Sequence, residues 1–153
     1  MTGSSTSRLT IRPLAAADRA AWDALWAGYL AFYRTELSPE VSALTFTRLL
    51  DDREPMHGLV AEVDGKVVGI AHYLMHRSTW AREQYCYLED LFVSPAARGH
   101  GAASALIEAI ADRARALNAD RMYWTTHESN STARRLYDKL AMRTGFVHYR
   151  KAL

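Results

Sequence analysis

The sequence is poor in the features that mark secreted, metal-binding or membrane proteins. Among its 153 residues there is one cysteine, Cys86, so neither an internal disulfide nor a cysteine metal cluster can form. No apolar run approaches the ~20 residues of a transmembrane helix. The polar start, residues 1–7, lacks the apolar core of a signal peptide. We therefore expect a cytoplasmic protein without membrane contact, in which residues 1–7 form a flexible tail.

An excess of one charge is also lacking. There are 19 lysines and arginines against 17 acidic residues, a net charge of +2, and the arginines are dispersed along the chain. This balance argues against nucleic-acid binding. The histidines lack the i, i+4 spacing of a metal site, so no metal is expected. With 49% hydrophobic residues, residues 8–153 are predicted to form one globular domain.

The first third of the chain predicts a strand followed by two helices. Leu9 to Arg12 alternates apolar and polar residues, as a half-buried strand does. A helix is predicted after Asp18, and a second from Pro39 to Leu50. The first helix carries an aromatic face, which we interpret as core rather than as a substrate pocket: Trp22, Trp26, Tyr29, Phe32 and Tyr33.

The middle of the chain predicts three consecutive antiparallel strands. Residues 58–63 and 66–75 are apolar segments separated by Asp64-Gly65, which is typical of a two-residue hairpin turn. After a polar link, residues 76–82, the central strand is predicted over residues 84–93. It contains the acidic pair Glu89-Asp90. Because successive strand residues face opposite sides, the two carboxylates are expected on opposite faces of the sheet.

The central strand leads into a loop of small residues, which reads Arg98-Gly99-His100-Gly101-Ala102-Ala103, and then into an amphipathic helix. Small residues allow close backbone approach, and a helix N-terminus offers free N–H groups, so the loop predicts an anion site, most plausibly for phosphate. No Lys-Ser/Thr pair follows the glycines, and the spacing differs from GxGxxG. The loops of nucleoside-triphosphate and dinucleotide folds are therefore not matched.

The last part of the chain predicts a strand over residues 121–126, which returns beside the central strand in parallel. Asn130 and Ser131 are suitable N-caps for a following helix. Residues 146–150 are predicted to form a last strand. The pattern as a whole is typical of an α/β domain with a mixed sheet.

The loop after CYLEDLFV resembles the acyl-CoA pyrophosphate loop, Arg/Gln-x-x-Gly-x-Gly/Ala, of the GCN5-related N-acetyltransferase (GNAT) superfamily. Tyr123-Trp124-Thr125-Thr126 and the later Asn130 to Tyr137 segment resemble that superfamily's next strand and helix. The similarity is greatest to the branch of polyamine, diamine and histone-type acetyltransferases. It implies a mixed, mostly antiparallel sheet of about six or seven strands with about four helices. It also implies a central parallel pair that splays at the acyl-CoA site, and acetyl-CoA (CoA) as cofactor.

The resemblance also implies roles for individual residues. Glu89 is expected to be the catalytic base, directly or through a water, and Glu89 or Asp90 to attract the substrate ammonium. Tyr137 is expected to donate a proton to the leaving thiolate. The alternatives are that Glu89 pairs with an arginine or caps a helix, and that Tyr137 is a core aromatic. The residues expected to bind the cofactor are Leu91, Phe92, Val93, Arg98, Gly99, His100, Gly101, Ala102, Ala103, Asn130 and Ala133.

Together these features predict an N-acetyltransferase that acts by direct transfer in a ternary complex. The expected acceptor is a small-molecule amine, either a polyamine, a diamine or a lysine-like amino acid. Two alternatives remain open, a protein lysine acetyltransferase and a non-catalytic acyl-CoA-binding sensor. The acceptor site is expected between the N-terminal helices and residues 76–82. Relatives often pair through their C-terminal strands, so a homodimer is also expected.

Overall fold

The computed structural model describes residues 7–153, so residues 1–6 of the predicted tail lie outside it. Its regular elements are β1 (Leu9–Pro13), α1 (Arg19–Phe32), α2 (Pro39–Leu49), β2 (Met56–Val63), β3 (Lys66–His76), β4 (Gln84–Val93), α3 (Ala102–Ala116), β5 (Ala119–Tyr123) and α4 (Ser131–Leu140). No helix within the described part of the chain is long and apolar enough to span a membrane. The α/β class and the four helices are confirmed.

The five strands form one mixed sheet in the order β1-β2-β3-β4-β5. The first four strands are antiparallel neighbours, and β5 pairs with β4 in parallel. The predicted hairpin turn is present, with Asp64 at φ 52° and Gly65 at φ 81°. Both values lie in the left-handed region that a type I′ turn requires.

The sheet has fewer strands than the six or seven that the sequence predicted. Residues 146–150 have the composition of a strand, but within residues 7–153 they pair with no other strand. Phe146, Val147 and Tyr149 are 76–90% exposed. A strand needs a hydrogen-bonded neighbour, and this segment has none among residues 7–153.

The parallel pair of β4 and β5 separates before β4 ends. The pairing runs from Gln84 and Ala119 to Tyr87 and Tyr123 and then stops, while β4 continues to Val93. Beyond Tyr87, the backbone groups of β4 that face β5 have no strand partner among the described residues. The predicted splay of the central pair is therefore confirmed.

Helices cover both faces of the sheet, which creates two apolar cores. On one face α1 and α2 pack around Trp22, which is fully buried, and Ile70. On the other face α3 packs through Leu106 and Ile110, which are also fully buried, against β2, β3 and β4. The sheet thus holds α1 and α2 on the face opposite α3, and β4 contacts both layers.

An ion pair fixes the connection between β1 and α1. Both terminal nitrogens of Arg12 donate to the Asp18 carboxylate at 2.8 Å, and Asp18 also accepts from the Ala15 N–H at 2.8 Å. Arg12 donates from Nε to Glu62 on β2 at 2.8 Å. The side chain of Asp18 is only 8% exposed, so the arrangement ties the start of α1 to the sheet.

Candidate active site

A bulge in β4 places the acidic pair. His72 of β3 is opposite Asp90 and Tyr73 is opposite Leu88, so Glu89 is an extra residue without a partner on β3. A bulge of this kind redirects the side chains around it. Glu89 and Asp90 consequently line the same cavity. The expectation that the two carboxylates lie on opposite faces was wrong, because strict alternation holds only in a regular strand.

The cavity has a volume of about 220 Å³ and lies between the sheet and the first two helices. Its lining combines two carboxylates with aromatic, aliphatic and hydroxyl side chains: Trp26, Leu37, Thr45, Leu49, Met56, His72, Glu89 and Asp90. None of these residues is a lysine or an arginine. The lining therefore suits a group that is positively charged at one end and apolar along its length.

The two carboxylates differ in their surroundings. Asp90 is 9% exposed and accepts a hydrogen bond from His72 Nδ1 at 2.9 Å. Glu89 is exposed, and no protein group donates to it among the described contacts. Partial desolvation, and then the charge of Asp90, raises the pKa of Glu89, while His72 lowers it. A carboxylate with a raised pKa is a stronger base, which suits Glu89 to accept a proton.

The loop after β4 presents backbone N–H groups to solvent. Gly99 and Gly101 adopt φ values of 94° and 74°, in the left-handed region where a side chain is strained. Gly101 is the N-cap of α3, and no side chain in the described part of the chain caps that helix end. The first-turn N–H groups are thus left for an external acceptor, and the first turn contains no acidic residue. This geometry fits the predicted phosphate site, with Arg98 exposed beside it.

A second groove, of about 570 Å³, leads from the end of β4 to this loop. It is lined on one side by α1, including Gly28 and Phe32, and on the other by Phe92 and Arg98. A Cβ atom at Gly28 would lie 2.8 Å from the Phe92 ring, so the glycine lets α1 approach the ring closely. The groove places two of the predicted cofactor residues, Phe92 and Arg98, in one concave surface.

Tyr137 lies on α4 and packs edge-on against Trp124, with 5.5 Å between the ring centroids. Burial, and then neighbouring Tyr33, raises the pKa of Tyr137 to about 12. Its phenol therefore remains protonated at neutral pH and can donate a proton. Tyr33 follows the last residue of α1. Burial, and then the charge of Asp90, raise the pKa of Tyr33.

The remaining predicted residues lie near the loop or on α4. Ala102 is buried in the α3 core and Ala103 is half-buried, whereas His100 is exposed. Asn130 occupies the N-cap position of α4, but its side chain does not cap the helix. Instead its Nδ2 donates to Thr126 Oγ1 at 3.2 Å. Ala133 is half-buried on the same helix.

Sequence reasoning missed the contact between His72 and Asp90. His72 was expected to be a surface or satisfied histidine rather than a metal ligand or base, and it is satisfied, but by a bond to Asp90 that the sequence did not predict. His72 lies on β3, the middle strand of the sheet, within an apolar segment. Nothing in that segment indicates a contact with Asp90. The link of residues 76–82 does not line the cavity. Trp80 within it instead packs near Arg121, whose guanidinium carbon is 5.9 Å from the ring centroid.

The aromatic face of α1 serves two purposes. Trp22 is fully buried, as predicted for core, and stacks on Trp26 at 5.4 Å between ring centroids. Trp26 also lines the cavity. Phe32 and Tyr33 are 55% and 41% exposed, so the outer end of this face is available to a ligand. The core interpretation is correct for Trp22, Trp26 and Tyr29, which pack in the core, and does not hold for the exposed Phe32 and Tyr33.

Comparison with known proteins gives a family and several relatives. Residues 20–142 match the acetyltransferase (GNAT) family. A D-amino-acid N-acetyltransferase of Saccharomyces cerevisiae is 36% identical over 94% of this chain and 91% of its own length. A thialysine N-epsilon-acetyltransferase of Caenorhabditis elegans is 31% identical over 57% of this chain and 54% of its own length. An aminoglycoside N-acetyltransferase solved with CoA has the same fold. The TM-score is 0.81 at 19% identity, and the match covers 98% of this chain and 99% of that one.

Proposed function

This chain belongs to the acetyltransferase (GNAT) family and is an acetyl-CoA-dependent N-acetyltransferase, and we propose that its acceptor is a small polyamine, diamine or lysine-like amino acid. The observation that carries the proposal is the cavity lined by Glu89 and Asp90 without a basic residue. An alkylammonium group would be attracted to these carboxylates, and an aliphatic stem would contact Leu49 and Met56.

The loop and groove fit the cofactor. The open N-terminus of α3, with Gly99 and Gly101 at positive φ, suits the pyrophosphate of CoA. The unpaired edge of β4 at Leu91 to Val93 offers backbone groups for the pantetheine arm and for the acetyl oxygen. Arg98, His100, Ala102 and Ala103 flank the same loop. Acetyl-CoA supplies the activated thioester that the reaction requires.

Glu89 and Tyr137 are proposed to move the protons of the reaction. An alkylamine has a pKa of about 10.4, so at neutral pH it arrives mostly as ammonium. Glu89 accepts the first ammonium proton and releases it to solvent, and the neutral nitrogen then forms the new C–N bond as the C–S bond breaks. The second nitrogen proton, which the amide product cannot keep, is lost to Glu89 in turn. The Tyr137 phenol donates its proton to the departing thiolate and is reprotonated from solvent. The transfer is direct, and no covalent enzyme intermediate is needed.

Asp90 is proposed to bind the acceptor rather than to take its proton. It is more buried than Glu89 and already accepts a hydrogen bond from His72. A fixed carboxylate beside the reacting amine keeps the ammonium in the cavity before deprotonation. Asn130 and Ala133, at the start of α4, are proposed to contact the cofactor arm from the side of Tyr137.

A D-amino acid is a second candidate acceptor, because the yeast relative that is 36% identical carries that name. Its α-carboxylate would lie close to the reacting amine and would meet Glu89 and Asp90 without a lysine or arginine in the lining. This repulsion disfavours it. The terminal amine of a lysine-like molecule is several bonds from its carboxylate and avoids the conflict. A protein lysine acetyltransferase and an acyl-CoA sensor are the further alternatives.

A thiol-release assay tests the proposed acceptor. The purified chain is given acetyl-CoA and, separately, 1,4-diaminobutane, spermidine, thialysine, D-amino acids and a lysine peptide. We expect turnover with the diamine, the polyamine or thialysine, and little with the D-amino acids. Turnover on D-amino acids alone would refute the diamine proposal. Calorimetric titration of acetyl-CoA beside the assay identifies a sensor, which would bind the cofactor without turnover on any amine.

We also propose that the chain forms a homodimer through residues 141–153. Within the described part of the chain, no strand pairs with the outer edge of β5. Residues 141–153 form no helix or strand and are exposed, with Phe146 at 83% and Tyr149 at 90%. Pairing of this segment with the second copy would bury these side chains and satisfy the free edge. Light scattering should give the dimer mass for the full chain and the monomer mass after truncation at Leu140; equal masses would refute the proposal.

A cytoplasmic location is proposed as well. Cys86 is the one cysteine of the chain, and it is fully buried with its pKa raised by burial to about 11. The protein thus neither uses nor needs a disulfide, which is usual in reducing compartments. Microscopy of a fluorescent fusion would test this location.

A further inference from the structure

A chain of three buried side chains ends at the Asp90 carboxylate. Trp22 Nε1 donates to His72 Nε2 at 3.0 Å, and His72 Nδ1 is 2.9 Å from Asp90 Oδ2. Trp22 is fully buried and His72 is 2% exposed. No water is needed to satisfy these groups, since every buried side-chain nitrogen and oxygen of the described residues has a partner.

The chain determines where the proton of His72 resides. An indole N–H can only donate, so Nε2 of His72 must be the acceptor and carries no proton. The ring proton is therefore on Nδ1, and it is donated to Asp90. In this arrangement His72 is a neutral imidazole, and Asp90 is the acceptor at the end of the chain.

Because His72 is a neutral donor, it leaves the negative charge of the cavity unchanged. A lysine or arginine at this position would hold Asp90 equally well, but it would cancel the carboxylate charge. His72 supplies one hydrogen bond without adding a positive charge to the site. Other groups near Asp90 are Glu89 on β4, Tyr29 on α1 and Tyr33 just after α1. Burial and then the Asp90 charge raise the pKa of Tyr29, so its phenol also stays neutral.

We propose that His72 is a positioning residue that holds Asp90 in place while leaving its negative charge available to the acceptor ammonium, with Trp22 fixing the tautomer that makes this possible. The inference rests on the proposed function, because it assumes that a cationic amine enters the cavity. His72 itself touches neither the reacting atoms nor the cofactor loop. Its effect should therefore fall on acceptor binding.

Two substitutions separate this role from a purely structural one. His72→Leu removes both hydrogen bonds, whereas in His72→Asn the amide nitrogen takes the place of Nδ1 and can still donate to Asp90. Both leave the Trp22 N–H without its acceptor, so both should lose similar stability. His57→Leu is the control, since His57 is a half-buried histidine of β2 that packs on Tyr73 and does not line the cavity.

The measurements are steady-state kinetics with 1,4-diaminobutane and calorimetric binding of that diamine to the CoA-bound protein. His72→Leu should raise the diamine KM and Kd by about tenfold, with the acetyl-CoA KM changed by less than about twofold. His72→Asn should restore most of the affinity, and His57→Leu should match the wild type. Equal diamine affinities for the Leu and Asn variants would overturn the positioning role.

The calorimetric arm distinguishes failure of this inference from failure of the proposed function. Absence of wild-type turnover on every amine would refute the proposed reaction, yet diamine binding would still report on His72. The tautomer has its own signature in ¹⁵N NMR of the imidazole. A proton on Nδ1 with an unprotonated Nε2 supports the inference, and a doubly protonated ring at neutral pH overturns it.

Discussion

Glu89 and Asp90 are neighbours in the sequence, yet both line one cavity, because Glu89 is the extra residue of a bulge opposite His72 and Tyr73. The bulge gives the two carboxylates different environments on the same side of the sheet. Asp90 accepts a hydrogen bond from His72, and Glu89 is exposed with no donor among residues 7–153. This difference supports the proposal that Asp90 binds the acceptor and Glu89 accepts its proton.

Replacement of Glu89 by glutamine should remove the base and change the pH dependence of the reaction. The pKa of Glu89 is raised, so its acidic limb should lie above the ordinary value of about 4.3. As pH falls through that pKa, Glu89 is protonated and activity is lost. We expect E89Q to lower kcat by about 100-fold and to abolish this limb. E108Q, on the exposed face of α3, is the control. An unchanged limb in E89Q would assign the base to another group.

Replacement of Tyr137 by phenylalanine tests the proposed acid. The variant retains the ring that packs on Trp124 but lacks the phenol proton. We expect kcat to fall by about 100-fold while the Kd of acetyl-CoA, measured by calorimetry, changes little. Tyr73→Phe is the matched control, because Tyr73 is buried in the α3 core with its pKa also raised by burial. If both variants keep full activity, Tyr137 is a core aromatic and the thiolate takes its proton elsewhere.

Much of the fold could be predicted from local patterns. The Asp64-Gly65 turn, the apolar run of β4 and the periodicity of α3 each depend on neighbouring residues, and each was predicted within a few residues of its observed bounds. The loop after β4 could also be predicted, because glycine is the residue that most readily adopts the positive φ values such a loop requires. The strand expected at 146–150 is not part of the sheet, because its composition favours a strand but does not supply a neighbouring strand to pair with.

The site needed information that sequence spacing does not contain. A bulge shifts the alternation of β4 by one residue, and no residue type in Leu88 to Asp90 marks where it occurs. The contact between His72 and Asp90 joins two strands at a register that the bulge itself sets. Trp22 reaches His72 from α1 through packing of the helix on the sheet. The bulge and these two contacts depend on tertiary structure, so they could not be predicted from the sequence alone.

The buried carboxylate of Asp18 should contribute to stability in a pH-dependent manner. Hydrogen bonds from Arg12 hold the pKa of Asp18 below its usual value. Its contribution is therefore complete above the unfolded-state pKa of about 3.9 and is lost as pH falls through the lower folded-state pKa. We expect D18N to lower the free energy of unfolding by about 2 kcal/mol at neutral pH. The deficit relative to wild type should shrink in strong acid.

Urea unfolding at several pH values measures this contribution. D23N is the matched control, because Asp23 pairs with Arg19 one helical turn away and both side chains are 44–50% exposed. Such a pair contributes only about 0.3–0.5 kcal/mol. A D18N deficit no larger than that of D23N would show that the link between β1 and α1 does not depend on the Arg12 pair.

A side chain at Gly101 should weaken cofactor binding without unfolding the protein. Gly101 has φ 74°, and a Cβ atom there would meet no protein atom within 4 Å. Alanine therefore adds only backbone strain, of about 1 kcal/mol, and that strain falls on the N-cap residue of α3. We expect G101A to raise the Kd of acetyl-CoA by about tenfold, because the N–H groups beside it lose the geometry that an anion requires.

Gly65 is the matched control, with φ 81° and equally open surroundings in the β2–β3 turn. G65A should carry a similar loss of stability and bind acetyl-CoA normally, so equal affinities for the two variants would place the pyrophosphate away from this loop.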